Sequence, residues 1–120
     1  KKYSPNKSIL KLAKKEKVKL TITSKPFEAA TGADCVMTDK WVSMNDKVNK
    51  VSKKKTLKPY QVNKKLMSKA NSDAVFMHCL PVGRGEEVTN EVIDGNQSVV
   101  WRQALNRVHA QKSIIKWCLD

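Results

Sequence analysis

Residues 74–88 read Ala-Val-Phe-Met-His-Cys-Leu-Pro-Val-Gly-Arg-Gly-Glu-Glu-Val. The apolar run Ala74 to Met77 stops at His78-Cys79-Leu80-Pro81, and a Gly-rich, charged segment from Val82 to Glu87 follows. Strand-forming residues ended by Pro and Gly predict a buried strand emptying into a loop. An imidazole, a thiol and the Arg84 guanidinium lie in that exit. In an open parallel sheet, ligands bind outside the carboxyl ends of the strands.

Working outward, elements alternate. Ser4-Pro5 predicts an N-cap with Pro at the first helical position, and Ile9, Leu10, Leu12 and Ala13 give one apolar stripe to about Lys17. Val18–Thr23 alternates with period two and predicts a strand. A short helix follows over Pro26–Ala30, stopped by Gly32. Cys35–Thr38 is a short apolar strand with Asp39 just past its end. Residues 41–54 are polar and Lys-rich, read as loop and frayed helix. Val62–Ala70 predicts a helix, Ala74–Met77 the central strand, Thr89 a cap for Asn90–Asp94, and Ser98–Val100 a last strand. Trp101, Ala104, Leu105, Val108, Ile115 and Cys118 or Leu119 recur at helical spacing. Strands alternating with helices predict an α/β fold, a three-layer parallel sheet with helices on both faces.

Length and composition set limits. A chain of 120 residues makes one domain at most. The net charge of +13 comes from 24 Lys and Arg against 11 Asp and Glu. The lysines are scattered rather than gathered with aromatics, and no nucleic-acid module signature is present, so a Lys-rich surface is expected rather than nucleic-acid binding. A positive field still favours an anionic substrate. No apolar run reaches the ~18–20 residues of a membrane span. No signal core follows Lys1-Lys2-Tyr3, and a cytoplasmic location is expected. Three cysteines without a C-x-x-C pair argue against a disulfide framework or a zinc site. Cys35 and Cys118 are expected to be buried small hydrophobes. No metal or cofactor is expected.

Asp39 and Cys79 both fall just beyond predicted strand ends, so a parallel sheet brings them to one edge. Alone, Asp39 reads equally well as a cap or turn residue, and Cys79 as a buried thiol. Together they read as a site.

His78-Cys79-Leu80-Pro81 followed by Arg84-Gly85-Glu86-Glu87-Val88-Thr89 resembles the signature of ornithine carbamoyltransferases. Asp39 to Met44 resembles the family's Asp-x-x-x-Ser-Met loop. Asn106-Arg107-Val108-His109-Ala110-Gln111-Lys112 is similar to its C-terminal helix, and Pro59 to Asn63 also fits. The resemblance covers nearly the whole chain, which corresponds to only the second half of such an enzyme. It implies a Rossmann-like ornithine-binding domain over residues 1–120, lacking its first strand and helix, and a reaction of carbamoyl phosphate with L-ornithine giving L-citrulline and phosphate, in arginine biosynthesis. Asp39 and Cys79 would flank the reacting amine, thiolate Cys79 accepting or directing its proton. Ser43 and Met44 would grip the amino-acid end of ornithine. The Cys79 and Leu80 carbonyls and Arg107 would hold carbamoyl phosphate. His78 would polarise the carbamoyl oxygen or else orient its loop, with the former favoured, and His109 would be structural. Without the resemblance, Arg107 reads as a surface helix residue. Arg84 is expected to pair with Glu86 or Glu87.

Two departures stand out: Asn45 where the family has Gly, and Val82-Gly83 where relatives often have Ala-His. The family's Ser-Thr-Arg-Thr-Arg phosphate run is absent. The chain alone is therefore expected to be inactive, its missing N-terminal domain being the usual route to a homotrimer. Rival readings are a carbamoyltransferase for another acceptor, against which Cys79 and Ser43-Met44 argue, and a non-catalytic fragment or binding module.

Overall fold

The computed structural model describes residues 3–42 and 50–120. Two strands, β1 (Cys35–Thr38) and β2 (Val75–His78), pair in parallel, with Cys35 opposite Val75 and Thr38 opposite His78. The helices are α1 (Lys7–Lys15), α2 (Pro26–Ala30), α3 (Lys50–Leu57), α4 (Lys64–Met67), α5 (Asn90–Ile93) and α6 (Val100–Leu119), with a 3-10 turn at Lys58–Tyr60 after α3. The predicted α/β architecture with a parallel sheet is present. Its named sheet has two strands among the described residues.

The entrances of both strands are tied together. Gly32, at φ +68, ends the α2 turn and donates its N–H to the Lys69 carbonyl. Positive φ there suits the residue without a Cβ. Asn71 donates to the Asp34 carboxylate at 2.7 Å, and Val75 N–H to the Asp34 carbonyl. β2 is the inner strand: Phe76 is fully buried, among Leu66, Val88, Ile93 and Val100. On its far side, Phe76 exchanges backbone hydrogen bonds with Gln97 and Val99.

Several expected boundaries move. Among the described residues Val18–Thr23 has no ladder partner, and Val18, Leu20 and Ile22 are exposed; alternation makes a strand only where a neighbouring edge accepts it. Ser98 makes an isolated bridge to Phe76 rather than a strand, because the chain turns into α6 at Val100. α1 begins at Lys7, capped by Asn6, whose side chain takes the Ser8 N–H, so Ser4-Pro5 lies outside it. α4 is shortened by the Asn63 cap at one end, and its helix stops at Met67. The Thr89 hydroxyl caps nothing. Cys35 and Cys118 are exposed: on β1 Cys35 shares the outward face with Met37 while Val36 packs on the core, and around Cys118 the apolar residues of α6 are themselves exposed. The stripe on α6 is likewise open: only Val100 of that helix is buried, while Trp101, Leu105, Val108 and Ile115 are exposed. No helix among the described residues is long and apolar enough to cross a membrane.

Candidate active site

The parallel register carries past the strand ends. With Thr38 opposite His78, the next residues, Asp39 and Cys79, emerge side by side at the carboxyl edge. The Cys79 thiol donates to Asp39 Oδ1 at 3.0 Å, and the Lys40 N–H donates to the same oxygen at 2.6 Å. Buried Trp41 and Val42 anchor the backbone immediately beyond. The thiol and then the Lys40 amide hold the Asp39 carboxyl below its usual range, overriding the small cost of burial. The same hydrogen bond, aided by desolvation and the Asp39 charge, pushes the Cys79 thiol up. Both shifts favour a carboxylate beside a protonated thiol, the opposite direction from the thiolate expected.

His78 is placed differently from the favoured expectation. Its side chain is fully buried. Its Nδ1 accepts the Leu80 N–H at 2.9 Å, and its Nε2 faces Glu87 Oε1 at 3.3 Å. That second approach is close enough for an ion pair, though off the line of a well-formed hydrogen bond. With Nδ1 taken by the Leu80 N–H and the side chain fully buried, the imidazole is placed to orient the loop. Leu80 itself sits at φ +53, before a cis bond to Pro81.

Arg84 pairs with neither Glu86 nor Glu87. Its guanidinium clasps Asp94 at 2.5 and 2.9 Å and reaches Asn90 at 3.1 Å. The two glutamates are engaged elsewhere: Glu86 with Lys54 at 2.5 Å, and Glu87 inside the core beneath the Gly83 N–H. Gln61 also donates to the Gly85 and Glu86 carbonyls, fastening the loop from outside.

On α6, the Gln103 side chain accepts the His78 N–H at 3.1 Å. Arg107, exposed, lies four residues further along that helix, hence on the same face, one turn beyond the end of β2. His109 is exposed on α6, its carbonyl accepting from Ser113. Ser43 and Met44, with Asn45, lie outside the described residues.

Sequence reasoning missed Glu87 and Gln103. Both stand in polar surroundings that read as surface; the only hint at Glu87 is its place between the Gly-rich turn and Val88. The larger clefts lie elsewhere, one of about 510 Å³ between Tyr3–Pro5 and α3, another of about 350 Å³ along β1. Asp39 and Cys79 occupy an open strand edge, an arrangement able to receive a cationic group on Asp39 while presenting the Cys79-Leu80 backbone beside it. No group of three or more potential metal-ligating side chains occurs among the described residues.

Comparison with known proteins gives a consistent set of relatives. The family model described as aspartate/ornithine carbamoyltransferase, Asp/Orn binding domain, matches residues 1–118. An ornithine carbamoyltransferase of Rhodopseudomonas palustris is 59% identical over 97% of this chain, which spans 37% of that relative. The ornithine carbamoyltransferase of Pyrococcus furiosus superposes with a TM-score of 0.85 at 42% identity, over 95% of this chain and 38% of its own. The anabolic enzyme of Campylobacter jejuni gives 0.90 at 34% identity, over 98% and 40%.

Proposed function

Because the chain belongs to the aspartate/ornithine carbamoyltransferase family, through the Asp/Orn-binding domain, we propose that it is the amino-acid-binding half of an ornithine carbamoyltransferase. The reaction would join carbamoyl phosphate and L-ornithine into L-citrulline and phosphate. The observation that carries the reading is the Cys79–Asp39 contact at the carboxyl edge of two parallel strands, in a chain whose relatives at more than half identity are ornithine carbamoyltransferases.

The chemistry fits the groups. A free alkylammonium has a pKa near ~10.4, so the amine must shed a proton to attack. Asp39, held as a carboxylate, offers the charge that receives the δ-ammonium. An ammonium docked there offsets the field that keeps the Cys79 thiol protonated, so amine and thiol compete for one carboxylate. Ser43 and Met44 would hold the other end of ornithine. The Cys79 and Leu80 carbonyls would take the carbamoyl NH2, and Arg107 the phosphate and developing oxyanion. A partner domain would supply the main phosphate site, and with it the trimeric assembly. A cytoplasmic, arginine-forming role completes the reading.

The test is to assay citrulline from the chain alone and after joining it to a first domain bearing Ser-Thr-Arg-Thr-Arg. The chain alone is expected to form none. The joined protein is expected to use ornithine, and Asp39→Asn, Cys79→Ala and Arg107→Ala to lower kcat/KM by on the order of 10²-fold or more. Citrulline from the chain alone, or full activity in all three variants, overturns the proposal.

A further inference from the structure

Two titratable groups in this domain see no solvent and take no direct part in the chemistry above. The side chains of His78 and Glu87 are both 0% exposed. Four groups line up through them. The Gly83 N–H donates to Glu87 Oε1. The same oxygen faces His78 Nε2 at 3.3 Å. On the other side of the ring, Nδ1 accepts the Leu80 N–H at 2.9 Å. A nitrogen that accepts carries no proton, so a neutral ring here bears its hydrogen on Nε2, toward the carboxylate.

The consequence lies in one peptide plane. The Leu80 N–H and the Cys79 carbonyl belong to the same rigid unit and point in opposite directions. A ring nitrogen that captures the N–H thereby aims the Cys79 carbonyl away from the core. Leu80 is held at φ +53, a backbone state that residues with a branched side chain seldom adopt without support. The Nδ1 contact supplies that support, and Glu87 fixes the ring that supplies it. Glu87 also reaches across to Gly83, so one buried carboxylate sets both sides of the turn that follows β2.

We propose that Glu87 is a positioning residue: it locks His78 as the Nε2–H tautomer, and His78 in turn aims the Cys79 carbonyl. The close approach of Glu87 Oε1 to Nε2 at 3.3 Å, rather than a formed hydrogen bond, carries this role. Among the described residues neither Glu87 Oε2 nor His78 Nε2 has a hydrogen-bond partner, so the contact that matters is the Oε1 approach, which an amide oxygen reproduces. The effect on carbamoyl transfer rests on the function proposed above; the tautomer and the Leu80 hydrogen bond do not.

The experiment uses the 15N-labelled chain with His109→Asn, which removes the only other histidine and so assigns the ring signals. Long-range 1H–15N correlation reads the tautomer, and amide exchange reads Leu80. The expected result is a neutral ring protonated at Nε2, coupled through Nδ1 to the Leu80 amide. Glu87→Gln keeps both, with Leu80 exchange within about threefold of the parent, while Glu87→Leu speeds it by about tenfold or more. A ring protonated on Nδ1 or on both nitrogens at neutral pH overturns the proposal, and this needs no Glu87 variant to fold. So does Glu87→Leu with unchanged Leu80 exchange. In the joined enzyme, Glu87→Gln retains and Glu87→Leu loses kcat/KM for carbamoyl phosphate. An inactive joined parent with the expected tautomer would count against the enzyme reading alone.

Discussion

Among the described residues, the Gln103 side chain stands on the far side of β2 where a further strand's carbonyl would accept. Along the far side of β2, Phe76 bonds to the Gln97 carbonyl and the Val99 amide, and the next donor on that side, His78 N–H, is met by the Gln103 side chain instead of a backbone carbonyl. Replacing Gln103 with Met keeps the length of the side chain and removes the acceptor. His78 is 1% exposed, so its N–H is left without water as a substitute. An unpaired buried donor costs about 1–3 kcal/mol. Unfolding entropy of about 2.1 cal/mol/K per residue makes 1 kcal/mol worth roughly 4 °C in a chain of this length. Gln103→Met is therefore expected to lower Tm by roughly 4–12 °C, read by circular dichroism of the helix signal. Gln103→Glu keeps an acceptor at the same reach and is expected to stay within about 3 °C of the parent. Equal melting of the parent and the Met variant refutes the argument, because it means the His78 N–H never depended on this contact. Equal losses in Met and Glu would do the same, pointing to side-chain shape rather than hydrogen bonding.

Other consequences follow from the same geometry. Asp39→Asn removes the carboxylate that holds the thiol proton, so Cys79 should be alkylated faster by iodoacetamide near neutral pH; peptide mapping separates it from exposed Cys35 and Cys118, and an unchanged rate counts against the pairing. The Asp39 carboxyl is depressed in the folded state, so its contribution to stability is present above the unfolded carboxylate range and fades as pH falls through the lower folded value. The Tm difference between parent and Asp39→Asn should accordingly narrow between about pH 6 and about pH 3; a widening gap reverses the assigned sign. Phe76→Ala empties the centre of the core and should cost about 3–5 kcal/mol, seen as a lower midpoint in urea; a loss below about 1 kcal/mol would mean the site collapses freely.

The two paired strands were legible because each is a short apolar run that ends in a residue of different chemistry, Asp39 in one case and His78-Cys79 in the other. Their shared edge followed from parallel pairing alone. What the sequence hid depends on distant partners. Val18–Thr23 has the right alternation, but pairing is a property of two edges. Arg84 finds its carboxylate ten residues away at Asp94, rather than two or three residues away at Glu86 or Glu87. Glu87 looks like a solvated loop residue until the fold turns it beneath His78. The state of Cys79 was also out of reach: a thiolate suits a His neighbour in sequence, but the neighbour in space is an anion.

Among the described residues, α6 is fastened to the rest of the molecule near one end. Its twenty residues extend for about 30 Å at 1.5 Å per residue, with Val100 buried and Gln103 bonded to β2. It is a cantilever, and distance from the pivot decides how faithfully each side chain keeps its place. Arg107 is about 6 Å along the axis from Gln103, and Trp117 about 21 Å. A tilt of about 10° at the root would carry the first by roughly 1 Å and the second by nearly ~4 Å. The guanidinium thus rides on the stiff part of the beam, in near-constant relation to Cys79, while the far tip can swing without disturbing it.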